Sequence, residues 1–353
     1  MRKRIRRGYV GLCALCVVVW SLMIGAAVQL PDQFSVAEGS QVALDGALAA
    51  VDIRVRAEDG QSSMQTASRT GSGRYTASAK LFGIFPLKDV AVQVTDARTV
   101  VIGGRPFGIK MYTDGVLVVG MADVDTPTGA YNPAKSAGLK TGDVIVSIDG
   151  TKVTTNEQVA ELVERSGGKT MTFCLRRDNI EFSVHFYPAR QRAENSWKAG
   201  LWVRDSSAGI GMLTFYDPTR RMYAGLGHAV CDVDTGEVLP LAGGEIVPVG
   251  IYSVVKGESG SPGELRGGFD EGTLGNLLVN GEPGVYGHME SGRMSGDAYP
   301  VAFKQQVKTG AAKVYTTIDG STPDWYDIEI EQVRYTDASP SRNMVIRITD
   351  QRL

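Results

Sequence analysis

The chain has 353 residues, of which 43% are hydrophobic and 22% charged, so it can bury more than one globular core. Five of its 37 basic residues lie at positions 2–7, and the other 32 face 39 acidic residues. This acidic body argues against nucleic-acid binding, which needs a basic surface. The 43 glycines, many of them in turn-like clusters, favour short strands over long helices.

The N-terminal residues 1–30 predict a membrane anchor. The basic cluster precedes an almost wholly apolar stretch, residues 9–30, which has the length needed to cross a bilayer as a helix. Basic residues keep that end in the cytoplasm, so we expect the rest of the protein on the extracytoplasmic side. The alternative is a signal peptide cleaved near Ala26 and Ala27.

Residues 31–103 predict a stalk followed by a small β-rich unit. Polar and apolar residues alternate at 74–80 and 90–94, as they do in half-buried strands. We expect the stalk at residues 58–72.

Residues 104–190 have a clear order of strand, turn and helix signals. The apolar run at 116–120 predicts a buried strand, and the word AGLKTGDVIVSIDG predicts a helical turn, a second strand and a tight turn. Thr155 and Gln158 predict a capping box at the start of a short amphipathic helix. The pattern resembles the PDZ family, whose members bind an extended peptide as an added strand beside a helix.

The PDZ resemblance implies a peptide-binding loop at Phe107, Gly108 and Ile109. PDZ domains usually have a Gly-Leu-Gly-Phe loop there, and its amides bind a C-terminal carboxylate. Pro106 removes one amide donor from the matching segment of this chain. An internal segment or an intramolecular ligand therefore remains as open as a free C-terminus.

Residues 195–353 are rich in Gly, Val and Ile and lack a long amphipathic helix, which predicts an all-β domain. Strands are expected near 209–215, 245–255, 313–318, 327–333 and 344–348.

Among the three histidines, His228 is the candidate general base. It follows glycines and precedes acidic residues in AGLGHAVCDVDTG, and a general base needs a ring that a partner holds in place. Asp232 and Asp234 could orient the ring, although a hydrated turn fits them better. His185 lies in a predicted strand and His288 in a predicted loop, and neither has a catalytic setting.

Four separate words resemble the SpoIVB peptidase family: LFGIFPLKDVAVQV, VIGGRPFGIKMYTDGVLVVG, GLGHAVCDVDTG and NMVIRITD. The resemblance implies a membrane-anchored serine endopeptidase of endospore-forming bacteria, with a PDZ domain and a chymotrypsin-like double β-barrel. It implies cleavage of an exported regulatory protein between forespore and mother cell, which triggers activation of the late mother-cell sigma factor. Another copy of the chain is a second candidate substrate. The alternative function is a catalytically inactive, peptide-binding PDZ protein.

The resemblance places the family histidine on His228 and the family aspartate on Asp350. In such a triad the serine attacks, the histidine takes its proton and the aspartate holds the ring. The family serine lies in a GMSGSP word after the aspartate, and this word does not occur before Leu353. We therefore expect the sequence to be truncated at its C-terminus.

Ser259, in GESGSP, resembles the nucleophile of trypsin-like peptidases. It follows His228 by only 31 residues and precedes Asp350, whereas a double barrel needs most of one barrel between histidine and serine. A surface turn fits this Gly-Ser-Pro composition better. No HExxH word and no His/Cys cluster occur, so we expect neither a metal nor a cofactor.

Overall fold

The computed structural model describes residues 2–37, 48, 50–55, 73–258, 260–261, 263–290, 292, 294, 296–334 and 343–353. Its helices are α1 (Arg2–Gln29), α2 (Pro133–Ser136) and α3 (Asn156–Arg165), with a 3-10 turn at Lys304–Gln306. The strands before residue 150 are β1 (Gln33–Ala37), β2 (Val51–Val55), β3 (Gly73–Leu81), β4 (Phe85–Thr95), β5 (Thr99–Met121), β6 (Val124–Thr126), β7 (Gly129–Tyr131) and β8 (Val144–Ile148).

Strands predominate in the rest of the described chain. Between residues 151 and 255 they are β9 (Thr151–Lys152), β10 (Met171–Arg177), β11 (Ile180–Phe186), β12 (Ala189–Arg190), β13 (Trp197–Lys198), β14 (Leu201–Asp217), β15 (Met222–Leu226), β16 (Leu241–Val247) and β17 (Val249–Val255). They continue as β18 (Glu264–Phe269), β19 (Gly275–Asn276), β20 (Val279–Gly281), β21 (Gly284–His288), β22 (Ala298–Pro300), β23 (Gly310–Thr316), β24 (Asp324–Val333) and β25 (Met344–Ile348). The prediction of a mainly β protein is therefore confirmed.

The chain divides into two compact units. The first comprises Met1–Val100, Ala298–Tyr315 and Trp325–Leu353, and the second comprises Val101–Asp297 and Thr316–Asp324. The PDZ-type segment and His228 thus belong to one unit, and Asp350 belongs to the other.

In the first unit, a four-stranded sheet in the order β1-β4-β3-β2 contains the strands predicted at 74–80 and 90–94. Phe34, Leu81 and Val92 are buried in its core, together with Ala26 of α1 and Leu30, which directly follows that helix. The stalk expected at 58–72 lies outside the described residues.

The expected membrane anchor is not confirmed. Helix α1 includes both the basic cluster and the apolar stretch. Among the described residues, however, no helix combines the length and the apolar character that a bilayer crossing requires.

The second unit contains the PDZ-type elements. Strands β11, β10, β8 and β5 are neighbours in one sheet, and Val159 and Val163 of α3 pack into the same core as Ile145 and Phe173. Helix α3 begins with the predicted capping box, in which the Thr155 side chain accepts from the Gln158 amide.

Strand β5 is paired along both edges and runs through the boundary expected at residue 104. Strand β14 is antiparallel to it, from Leu201 opposite Met121 to Tyr216 opposite Val101. Strand β16 pairs with its other edge between residues 108 and 113. One strand thereby belongs both to the PDZ-type sheet and to the sheet that leads to His228.

The peptide-binding loop expected at Phe107, Gly108 and Ile109 is wrong for this structure, because all three residues lie inside β5. Strand β14 pairs with all three, and β16 also pairs with Gly108 and Ile109. Phe107 and Ile109 are buried. A Cβ at Gly108 would lie 2.7 Å from both Val247 and Phe269, so this glycine allows close packing and its backbone is not open to a carboxylate.

The other strand predictions for residues 195–353 are confirmed. The segment 209–215 lies in β14, and 245–255 is divided between β16 and β17. The segments near 313–318, 327–333 and 344–348 correspond to β23, β24 and β25.

Candidate active site

His228 lies two residues after the end of β15. This strand runs between β14 and β21, and its residues Tyr223, Ala224 and Gly225 are buried. Gly284 of β21 packs so closely that a Cβ on it would lie 2.2 Å from the Gly225 carbonyl oxygen. The chain then leaves the sheet at Gly227. His228 therefore lies at the surface, with its side chain exposed, just beyond the buried strand β15.

The ring of His228 is held by the main chain. Its Nδ1 lies 2.7 Å from the carbonyl oxygen of Ala229. A carbonyl oxygen can only accept a hydrogen bond, so Nδ1 must carry the proton. The neutral ring therefore has an unprotonated Nε2, which is the nitrogen that a general base uses to take a proton from a nucleophile.

The loop after His228 is a small hairpin. The amide of Leu239 donates to the Val230 carbonyl at 3.1 Å, and the amide of Asp232 donates to the Glu237 carbonyl at 2.8 Å. Cys231 lies between them, and its Sγ is 3.5 Å from the Ala229 oxygen that also binds His228. The hairpin is an ordered support next to the histidine.

Asn280, on β20, closes the base of this hairpin. Its Oδ1 accepts from the Val230 amide at 2.7 Å, and its Nδ2 donates to the carbonyls of Val230 and Leu239 at 2.9 and 3.0 Å. On the other side of His228, the Gly227 amide donates to the Pro283 carbonyl at 3.2 Å. Asn280 could not be recognised from the sequence, because an asparagine before Gly-Glu-Pro-Gly has the composition of an ordinary turn.

Asp232 and Asp234 do not orient His228 but pair with Arg204 of β14. Arg204 contacts Asp232 and lies 2.7 Å from Oδ2 of Asp234. Burial would raise the pKa of Asp232, but amide hydrogen bonds from Thr235 and Asp234 and the charge of Arg204 together lower it. The Asp232 side chain is fully buried, so this ion pair anchors the tip of the hairpin to β14.

Asp350, at the end of β25 in the first unit, is held by its own neighbours. Its Oδ1 accepts from the Arg352 amide at 2.9 Å and from Arg352 Nε at 3.0 Å, and its Oδ2 accepts from the Arg352 guanidinium at 2.8 Å. Arg352 holds the pKa of the Asp350 carboxyl well below its usual range. The carboxylate is ionised, as an aspartate that orients a catalytic histidine must be. Both of its oxygens, however, already accept hydrogen bonds from Arg352.

The other candidate residues have different settings. Nδ1 of His185 lies 3.0 Å from the hydroxyl of Thr172 on the neighbouring strand. His288 is part of β21, so the expected loop position was wrong. Ser259 lies outside the described residues. Among the residues that the structure describes, no cluster of three or more His, Cys, Asp or Glu side chains is arranged to hold a metal ion.

Replacing Asp232 tests the anchor of the hairpin. We expect Asp232→Asn to lower the free energy of unfolding by about 1–2 kcal/mol at pH 7, because the charged hydrogen bond to Arg204 is lost. The lowered pKa means that this contribution is complete above about pH 4 and disappears as the pH falls below it. Urea unfolding of both proteins between pH 8 and 3 measures the difference.

Asp234→Asn is the matched control, because this side chain is half exposed and should contribute less than about 0.5 kcal/mol. Equal effects of the two substitutions would contradict the anchor.

Family models match two parts of the chain. Residues 132–177 match the PDZ domain, and residues 195–353 match SpoIVB peptidase S55. The solved PDZ domain of the SdrC-like protein from Listeria monocytogenes is 16% identical and is covered to 87%, over 26% of this chain. Its TM-score of 0.21 is too low for a comparison of the folds.

Curated relatives match over short segments. Serine protease HTRA1 of Xenopus laevis is 35% identical over 71 residues, which are 18% of this chain and 15% of the relative. Zinc metalloprotease RasP of Geobacillus kaustophilus is 26% identical over 144 residues, which are 37% of this chain and 34% of the relative. The chain thus spans about one third or less of the curated relatives it matches. The family models alone show that the chain carries a PDZ domain, at residues 132–177, and a domain of the SpoIVB peptidase S55 family, at residues 195–353.

Proposed function

We propose that this protein is a serine endopeptidase with His228 as its general base. The observation that carries the proposal is the 2.7 Å hydrogen bond from Nδ1 to the Ala229 carbonyl, which makes Nε2 the basic nitrogen of the neutral ring; the side chain is also exposed. The match of residues 195–353 to a serine peptidase family supports it. In the reaction, Nε2 takes the proton of the serine hydroxyl and later gives it to the leaving amine.

The finer assignments rest on the resemblance to the SpoIVB family. They are a double β-barrel peptidase domain, Asp350 as the family's catalytic aspartate, and attachment to a membrane on its extracytoplasmic side. They include a role in endospore formation, with cleavage of an exported regulatory protein between forespore and mother cell and activation of the late mother-cell sigma factor. Another copy of the chain is the second candidate substrate.

A fluorophosphonate probe, which phosphonylates activated serine hydroxyls, tests the general base. We expect His228→Gln to slow labelling of the purified protein by at least about 10²-fold, the usual contribution of a general base. His288→Gln is the matched control, because this exposed histidine should leave labelling unchanged. Labelling that is independent of His228 would contradict the proposal.

Mapping the labelled peptide by mass spectrometry identifies the nucleophile. The resemblance places the family serine in the GMSGSP word after Asp350 and not at Ser259, so Ser259→Ala should still be labelled in a protein that contains that word. A label on Ser259 would contradict that assignment, and an absence of labelling would favour the alternative of an inactive, peptide-binding PDZ protein.

The PDZ match also supports binding of a peptide or protein substrate. We place this binding between β14 and α3. The Trp197 amide donates to Glu164 at 2.7 Å, and the Asn156 amide donates to Asp205 at 2.9 Å. The segment from Trp197 to Asp205 is therefore hydrogen-bonded to both ends of α3. Between these two hydrogen bonds, half-buried apolar side chains of β14 and α3 pack on the PDZ-type core. They are Leu162, Leu201 and Val203.

Leu162→Asp tests this location. We expect it to abolish capture of the protein by an immobilised library of peptides with free C-termini, because a charge would replace apolar contact area between β14 and α3. Ile180→Asp, which changes an exposed apolar residue of β11, should retain capture. Retained capture by a folded Leu162→Asp variant, checked by circular dichroism, would contradict the location.

A further inference from the structure

Two hydrogen bonds on opposite sides of one peptide group connect Asn280 to the ring of His228. The peptide group between Ala229 and Val230 contains both the carbonyl that accepts from Nδ1 and the amide that donates to Asn280. A peptide group is planar, and in the trans form its carbonyl and its amide point in opposite directions. Fixing the direction of the Val230 amide therefore fixes the direction of the Ala229 carbonyl.

Asn280 is well placed to fix that amide. Its Oδ1 accepts from Val230 N at 2.7 Å, while its Nδ2 is bound to the carbonyls of Val230 and Leu239. These three hydrogen bonds leave the carboxamide of Asn280 little freedom to rotate. If the Ala229–Val230 peptide plane turned, the carboxamide could not turn with it.

The support of Asn280 is itself rigid. It lies on β20, which pairs with β21, and β21 pairs with β15, the strand that leads into His228. The turn between β20 and β21 binds the other side of the histidine, through the Pro283 carbonyl and the Gly227 amide. The same hairpin therefore holds Gly227, immediately before His228, and the peptide group between Ala229 and Val230, after it.

We propose that Asn280 is a positioning residue for His228: it fixes the Ala229–Val230 peptide plane and so holds the ring in the Nδ1–H tautomer. Asn280 acts on the ring through the main chain and adds no charge beside it. The inference rests on the proposed role of His228 as general base. Its test, however, reads the tautomer and does not need peptidase activity.

Nitrogen-15 NMR of the full-length protein, labelled in its histidine rings, is the test. The chain has only three histidines, so the signals of His228 can be assigned by comparison with His228→Gln. In the unaltered protein at neutral pH we expect a protonated Nδ1 with a slowly exchanging proton and an unprotonated Nε2. A neutral His228 in the Nε2–H tautomer would overturn the proposal without any variant of Asn280.

Two variants of Asn280 test its part. In Asn280→Ala we expect the Nδ1 proton signal to be lost to exchange and the two nitrogen shifts to move towards averaged values. Asn280→Asp, which is nearly isosteric, places a carboxylate against two carbonyl oxygens and should have the same effect. Asn280→Asp replaces Asn280→Ala as the test if the alanine variant does not fold.

Asn276→Ala is the matched control. Asn276 lies on neighbouring β19, and its Oδ1 accepts from the His288 amide at 3.0 Å, so it resembles Asn280 but serves a different histidine. The His228 signals should not change in this variant. The proposal is overturned if a folded Asn280 variant retains the tautomer, or if Asn276→Ala disturbs His228 as strongly. A fixed tautomer together with fluorophosphonate labelling independent of His228 would overturn the proposed function alone.

Discussion

The pairing of β5 along both of its edges is the constraint on which the second unit depends. This one strand accepts β8 and β14 in its PDZ-type half, and β14 and β16 in the half that approaches His228. Because all these strands share its hydrogen bonds, neither half can be separated from the other without leaving buried amides and carbonyls unpaired, which costs several kcal/mol in total. The PDZ-type region and the histidine region are thus parts of a single compact unit.

The long partner strand β14 connects the two regions through adjacent side chains. Arg204 pairs with Asp232 in the hairpin after His228, and Asp205 accepts from the first amide of α3. A bulge between Arg204 and Ser206 allows these neighbouring side chains to serve different elements. The helix of the PDZ-type region and the histidine hairpin are therefore held by consecutive residues of one strand.

Features that depend on neighbouring residues could be predicted from the sequence. The capping box of Thr155 and Gln158 is local, and so is the tight turn at Asp149 and Gly150, where both residues have positive φ. His228 could be proposed as a candidate general base because its glycines, and the word around it, are contiguous in the sequence.

Features that depend on distant residues could not be predicted. Nothing near Phe107 and Gly108 in the sequence indicates that β14 and β16 pair with them. The prediction of a peptide-binding loop there rested on a local motif alone and was therefore wrong. Asn280 is 50 residues from Val230, and its role becomes visible only when β20, β21 and β15 are adjacent. The partner of the His228 ring is a carbonyl, which no residue type can reveal, and the acidic residues close in sequence bind Arg204 instead.

Alkylation by a peptidyl chloromethyl ketone tests whether His228 is the general base, because the methylene carbon of this reagent bonds to the basic ring nitrogen of a catalytic histidine with loss of chloride. All three histidines are exposed, so access alone does not favour any of them. Because Nδ1 of His228 donates to the Ala229 carbonyl, Nε2 is the nitrogen that can react. We therefore predict that mass spectrometry will find the adduct on Nε2 of His228. Equal alkylation of His185, His228 and His288, or none at His228, would contradict it.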